Sequence, residues 1–249
     1  MQTHLRTLSL GLALSLGLGQ LSAQNGVFKE NFATDGMTLK TIGRGDCHVK
    51  NGVFSSRESY ALFGNPEWKN YSVTFKARAP KGSEQVQIWA GFRAHNRNDR
   101  YIVGLKGGLQ DDIVLARQGY MGTDEFFAVK PLGFHPIPGE WYKFKIDVVG
   151  DRIRVYINDE NTPRIDVTDK NSNLAPSGQV SLGGGWLTTE FDDLEIKELP
   201  ENYFQGIKRQ EYKYAMSPAE KEAKRQRERS QYKAIEVGTL NPGRTEISL

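Results

Sequence analysis

Four carboxylates stand close together in Glu190-Phe191-Asp192-Asp193-Leu194-Glu195, and Glu190, Asp192 and Glu195 carry the spacing of interest. Glycoside hydrolysis uses such a pair, one carboxyl as acid/base and the other as nucleophile or base, on either side of the scissile bond. On a regular strand Glu190, Asp192 and Leu194 share one face and Glu195 falls on the other. Only a bulge returns Glu195 to its fellows. Phe191, Leu194 and Ile196 alone read as the apolar side of a core strand. Glu190, Asp192 and Glu195 are therefore catalytic candidates whose preferred explanation is structural.

A second set of residues suits sugar binding. Exposed aromatic rings stack on pyranose faces, and Trp89, Tyr101, Tyr120 and Trp186 are the candidates. Arg93 and Arg117 can hydrogen-bond hydroxyls. If Trp89 faces a groove, period-two alternation puts Gly91 and Arg93 on its side. Gly183-Gly184-Gly185-Trp186 sets a Trp beside permissive backbone. Core packing competes for every one of these rings, and Trp68 and Trp141 read as structural.

Other chemistries find little support. His4, His48, His95 and His135 are scattered, and no His/Cys spacing fits zinc. Asp99, Asp111 and Asp112 are of a type that can contribute to a calcium site, or are solvated loop carboxylates. No other cofactor is indicated, since G-x-S-x-G elbows and phosphate loops are missing. Cys47 is the only cysteine, so it forms no intrachain disulfide and reads as a half-buried thiol. The formal net charge of +3 is too weak for a nucleic-acid binder.

The elements that position these residues are strands. From Asn25 to about Pro200 short runs alternate apolar and polar residues, separated by Gly, Asn, Asp and Pro turns. Tyr71–Arg78 is one: Tyr71, Val73, Phe75 and Ala77 line one face. Trp141–Val148 and Arg152–Asn158 are joined by Gly150-Asp151, and Asn51-Gly52 marks a second hairpin between Val49 and Phe54. Further strands are expected at Val27–Phe32, Ser59–Phe63, Val86–Arg93, Tyr101–Leu105, Ile113–Ala116, Phe126–Val129, Gly178–Leu182 and Phe191–Ile196. That spacing predicts an all-β, two-sheet antiparallel sandwich.

The ends differ. Residues 1–24 read as a secretory signal peptide, with Arg6 before an apolar Leu8–Leu18 core too short to span a bilayer and cleavage near Ala23 or Gln24. No later run spans a membrane. Residues 201–249 read as a linker. Ser217-Pro218-Ala219-Glu220 carries an N-cap, an N1 proline and a capping-box Glu. The helix is expected over about 218–232, polar on all faces.

The residues Trp141-Tyr142-Lys143-Phe144-Lys145-Ile146, Val155-Tyr156-Ile157-Asn158, Gly178-Gln179-Val180-Ser181-Leu182 and Phe191 to Leu199 resemble the C-terminal half of concanavalin A-like (laminin G-like) jelly rolls. They are most similar to those of the bacterial 3-keto-disaccharide hydrolase family. The resemblance implies a jelly roll over residues 25–200. Glu190 to Glu195 also has the E-x-D-x-x-E spacing of family 16 glucanases, although the surrounding residues differ. The final Asn241-Pro242-Gly243-Arg244-Thr245-Glu246-Ile247-Ser248-Leu249 resembles the lead-in to the sugar-binding domain of family 2 glycoside hydrolases, which implies the start of a further domain.

The expected function is an exported, periplasmic or extracellular module that binds a glycan or oligosaccharide through Trp89, Arg93, Tyr101, Arg117 and Trp186, with a glycosidase domain downstream. The alternatives are a hydrolase of the 3-keto-disaccharide or glucanase type, and a structural spacer.

Overall fold

The computed structural model describes residues 26–107, 111–118, 124–170 and 172–239. Thirteen strands and one helix lie among them. The strands are β1 (Val27–Glu30), β2 (Thr41–Lys50), β3 (Val53–Phe63), β4 (Tyr71–Arg78), β5 (Gln87–Asn96), β6 (Asp99–Lys106) and β7 (Asp112–Gln118). They continue with β8 (Asp124–Pro131), β9 (Tyr142–Val149), β10 (Arg152–Ile157), β11 (Ile165–Thr168), β12 (Gln179–Gly183) and β13 (Thr189–Glu198), and helix α1 is Pro218–Thr239.

The strands form one hydrogen-bonded ribbon in the order β11-β10-β9-β4-β13-β3-β12-β5-β6-β7-β8, with β1 added to β13 and β2 to β3. Every pairing is antiparallel. The ribbon folds over at β3. Phe54–Ser56 pair with β13, Tyr60–Gly183 and its neighbours pair β3 with β12, and Glu58 between them takes a φ of 54°. Two layers result, a jelly-roll sandwich. The front layer is β12-β5-β6-β7-β8 with the second half of β3; the back layer is β13-β4-β9-β10-β11.

The alternating residues close the space between the layers. Tyr71, Val73, Phe75 and Ala77 of β4 and Ile146 and Val148 of β9 share one buried cluster with Ile88 and Phe92 of β5 and Val103 and Leu105 of β6. Phe75 stacks on Phe144 at 5.0 Å and Phe92 on Tyr101 at 5.0 Å, the offset contacts that aromatic rings prefer.

Both expected hairpins form. Asn51 and Gly52 have φ of 54° and 73°, the pair of positive values that a tight two-residue turn requires. Gly150, at φ 58°, turns β9 into β10. Elsewhere strands are longer than expected. β2 begins at Thr41, in a stretch without apolar alternation because most of its side chains face water. β3 is one strand of 11 residues rather than a short run after Ser59. The expected loop Ala94–Arg100 shrinks to the two residues between β5 and β6, and β11 was not apparent in the sequence.

The capping box at α1 is made: Ser217 N–H donates to Glu220 Oε2 at 2.7 Å, and Glu220 N–H to Ser217 Oγ at 3.3 Å. The helix runs to Thr239, past the expected end. Residues 203–214, between β13 and α1, lie as a strap along the outer side of β9–β11. The Phe204 ring sits against the guanidinium groups of Arg152 and Arg154 (4.9 and 5.3 Å). Those arginines donate to Ile207 O (2.7 Å) and Lys208 O (2.9 Å). Arg209 donates to Asp166 O, Gln210 N–H to Asp166 Oδ2, and Arg164 covers the Tyr212 ring. Arg227 of α1 reaches Asp111 at 3.0 Å. The leader, Tyr120 and the stretch Asn241–Leu249 lie outside the described residues.

Candidate functional site

The carboxylates of β13 come first, because a bulge decides their placement. Asp193 has a φ of 52° and the register of β13 on β4 shifts between Asp192 and Glu195. Glu190 pairs with Arg78, Asp192 with Lys76 and Glu195 with Thr74, all on the outward side of β4. The bulge thus does bring Glu190, Asp192 and Glu195 onto one face. There each meets a cation: Arg78 at 2.6 Å from Glu190, Lys76 at 3.1 Å from Asp192, and Lys29 at 2.7 Å from Glu195. Trp141 lies over Arg78 at 4.3 Å and over Lys76 at 5.1 Å. The arrangement is a charge ladder with alternating signs on the back layer.

The sugar-binding candidates separate into two groups. Trp89 projects from the outer face of the front layer, and Gly91 shares that face: a Cβ there would meet Ser181 Oγ and the Arg100 side chain. Arg93 does not follow. Its φ of 48° breaks the alternation of β5, and its guanidinium turns to Lys69 O (2.8 Å) and Gly150 O (2.7 Å). Tyr101 lies in the core, 2% exposed, and its hydroxyl donates to Asp169 at 2.8 Å. Burial, with the Asp169 carboxylate adding to it, pushes that phenol up to about 12. Arg117 donates to the same carboxylate through Nε at 2.6 Å and lies over Phe127. Its own pKa rises because the carboxylate favours the charged guanidinium. Asp169 thus gathers Tyr101 and Arg117 on the core side, while Trp89 and Trp186 lie outside.

The outer face of the front layer is shaped by glycines. At Gly104 a Cβ would come within 2.2 Å of Trp89 Cζ3 and 2.5 Å of its Cε3, so the six-membered ring of Trp89 lies on β6 in the space a side chain would take. At Gly185 a Cβ would come within 2.7 Å of Trp89 Cδ1, so the five-membered ring abuts the segment after β12. Gln87, on the same face of β5, accepts the backbone N–H of Trp186 at 2.9 Å and of Leu187 at 3.3 Å. That clamp holds Trp186, which is 74% exposed. Beyond Gly104, Phe126 of β8 meets Trp89 with ring centroids 6.4 Å apart and planes at 48°. Phe126 is 43% exposed, and Lys106 Nζ sits 5.2 Å from its ring.

A second long side chain lies across the same face. Arg100 of β6 crosses Gly91, donates to Ser181 Oγ at 3.0 Å and to Gln118 Oε1 at 2.6 Å, and covers the Tyr60 ring at 3.9 Å. The Tyr60 hydroxyl is buried without a hydrogen-bond partner. Burial raises its pKa while Arg100 and Arg97 oppose the rise.

Gln87, Arg100, Lys106 and Phe126 escaped the sequence reading. The available signal was a glycine inside an otherwise apolar strand, in Val103-Gly104-Leu105, which marks a close approach to the backbone. For cations, Asp99 Oδ1 accepts Ala175 N–H and Asp111 holds His135 and Arg227. Among the described residues no group of three or more His, Cys, Asp or Glu is set to hold a metal ion. No described helix is long and apolar enough to cross a membrane.

Several solved structures align with this chain. The exoplasmic/lumenal domain of VIP36 in its Ca2+-bound form aligns with a TM-score of 0.52 at 12% identity, over 77% of this chain and 97% of that one. The carbohydrate binding module CBM66 from Bacillus subtilis gives 0.49 at 16% identity, over 71% and 98%. A native glycosidic hydrolase gives 0.49 at 13% identity, over 72% and 99%. No curated protein matches the chain. The family model of the 3-keto-alpha-glucoside-1,2-lyase-like domain matches residues 24–197, and the chain belongs to that family.

Proposed function

We propose that the chain is an exported carbohydrate-recognising module that holds a glycan against the outer face of its front layer. The observation that carries this reading is Trp89, laid over Gly104 beside the 74% exposed Trp186. A large, partly exposed ring braced on the sheet, with a second exposed ring beside it, suits stacking on the C–H faces of a pyranose, which desolvates both partners. The name of the family points to sugars as well. The apolar leader supports export, and the last residues support a sugar-binding domain of a glycosidase following in the same chain.

The test is affinity electrophoresis of the full chain through gels carrying soluble polysaccharides, repeated with Trp89→Ala and Trp186→Ala. Retardation by at least one glycan that both substitutions weaken is the expected result. Unretarded migration in every gel, or retardation that both variants keep, rejects the reading.

Tyr60 favours a second reading, in which the same face also performs chemistry. A buried phenol with an unsatisfied hydroxyl, beneath the guanidinium of Arg100, is a group able to transfer a proton. Incubation with a 3-keto-glucoside tests it: turnover that Tyr60→Phe abolishes supports chemistry, and absence of turnover in the wild type removes it.

A further inference from the structure

Three aromatic residues of the front layer, taken by where their backbones stand, form a row. Trp186 follows Gly185, which abuts the five-membered ring of Trp89. The six-membered ring of Trp89 rests on β6, and Phe126 on β8 meets it from the far side at 6.4 Å. The row therefore crosses the strands. Neighbouring strands lie about 4.8 Å apart, so the backbones of β5 and β8, three steps apart, stand roughly 14 Å from each other, and the Trp89 and Phe126 rings close that gap to 6.4 Å, of the order of one hexose unit.

The rings are not coplanar. Trp89 and Phe126 are inclined at 48°. A flat, ribbon-like chain presents parallel faces and stacks on only one of two planes so inclined. A chain whose successive units turn about its axis meets both. Polar groups flank the row where hydroxyls of such a chain would pass: Gln87 beside Trp186, and Lys106 beside Phe126. The Lys106 contact is a partly exposed and therefore weak cation–π pair, so the ammonium is readily redirected to a hydroxyl.

We infer that Trp186, Trp89 and Phe126 are three consecutive stacking subsites for a linear oligosaccharide of helical habit, lying across the strands. This rests on the reading of the same face as glycan-binding. It adds the length of the ligand, its direction and its conformational class.

The experiment is calorimetry on the full chain with three ladders from glucose to the hexasaccharide. The α-1,4-linked (malto) and β-1,3-linked (laminari) ladders are helical, and the β-1,4-linked (cello) ladder is flat. For a helical ladder, affinity is expected to climb by about fivefold or more at each unit up to the trisaccharide and then level off. Trp186→Ala and Phe126→Ala should each remove one step, and Trp89→Ala the whole climb, with unchanged circular dichroism showing that the variants fold. Glucose binding as tightly as the trisaccharide overturns the row, and so does a climb confined to the flat ladder. Failure of every ladder while a polysaccharide gel still retards the protein through Trp89 overturns the row and leaves the glycan-binding face standing. Failure in both assays removes both.

Discussion

Gly104→Ala tests the shape of the site without touching a ring. The added Cβ would sit 2.2 Å from Trp89 Cζ3, 2.5 Å from Cε3 and 2.8 Å from Cη2. Carbon atoms rest about 3.5–4.0 Å apart, so the indole must lift by roughly 1 Å or more. It can do so because Trp89 is only partly buried, and the backbone of β6 at Gly104 carries no positive φ. The cost should therefore fall short of the 1–3 kcal/mol, roughly, of overpacking a closed core. What is lost is the contact with Phe126, worth about 0.5–1.5 kcal/mol. In a domain of this size that lowers Tm by roughly 1–6 °C. The lifted indole should become more accessible, which acrylamide quenching of tryptophan fluorescence reads in a Trp186→Phe background, where the most exposed indole is absent. Trp68 is 5% exposed and changes little. A Tm drop well above 10 °C would place Trp89 in a closed core. Unchanged quenching would show that it does not lie on Gly104. Either outcome refutes the platform.

Other outcomes follow from the charge networks. Asp166→Asn should loosen the strap: burial alone would raise this carboxyl, but hydrogen bonds from Arg152, Gln210 N–H and Arg154 hold it below its ordinary 3.8. Its contribution is present above that value and fades as pH falls through the lower folded pKa, so trypsin cleavage at Lys208 and Arg209 should accelerate in the variant at pH 7. Losing one partner of such a buried pair costs about 3–5 kcal/mol. Tyr101 has a phenol raised from 10.0 to about 12, so its stabilisation is complete below pH 10 and lost as pH climbs toward 12. Tyr101→Phe should flatten that part of an alkaline melting profile. Glu190→Gln breaks a partly exposed ion pair with Arg78 and should cost at most about 1 kcal/mol. Because Glu190 lies on the back layer, glycan retardation should be unaffected, and its loss would move the site to that layer.

The layers were legible in the sequence because alternation is local. Tyr71, Val73, Phe75 and Ala77 declare an inward face without knowledge of what they touch, and Asn51-Gly52 and Ser217 to Glu220 declare a turn and a cap. The strap was not legible. Its residues are polar and aperiodic, and its partners Arg152, Arg154 and Asp166 are roughly 40 to 60 positions away in the chain, on two strands whose outward faces look solvated when read alone.

The site fell between these cases, and the reason is phase. A list of aromatic and basic residues gives chemistry, but the side of the sheet each one faces is set by counting in twos from the last bulge. Trp89 keeps the phase of β5 and faces out. Arg93, four residues on, sits where the phase breaks and is spent on carbonyl oxygens. On β13 the same device works the other way, gathering Glu190, Asp192 and Glu195 onto one face that a regular strand denies them. Bulges arise where non-glycine residues accept positive φ, as Arg93 and Asp193 do, and no pattern in either neighbourhood announces it. Glycine is the more informative residue here. Gly91 and Gly104 interrupt strands that are otherwise apolar, and each vacancy is filled by a long side chain from the adjacent strand, Arg100 in one direction and Trp89 in the other. Pairing a mid-strand glycine with the large residue opposite it finds the surface of the site, where a search for paired carboxylates found only the charge ladder behind it.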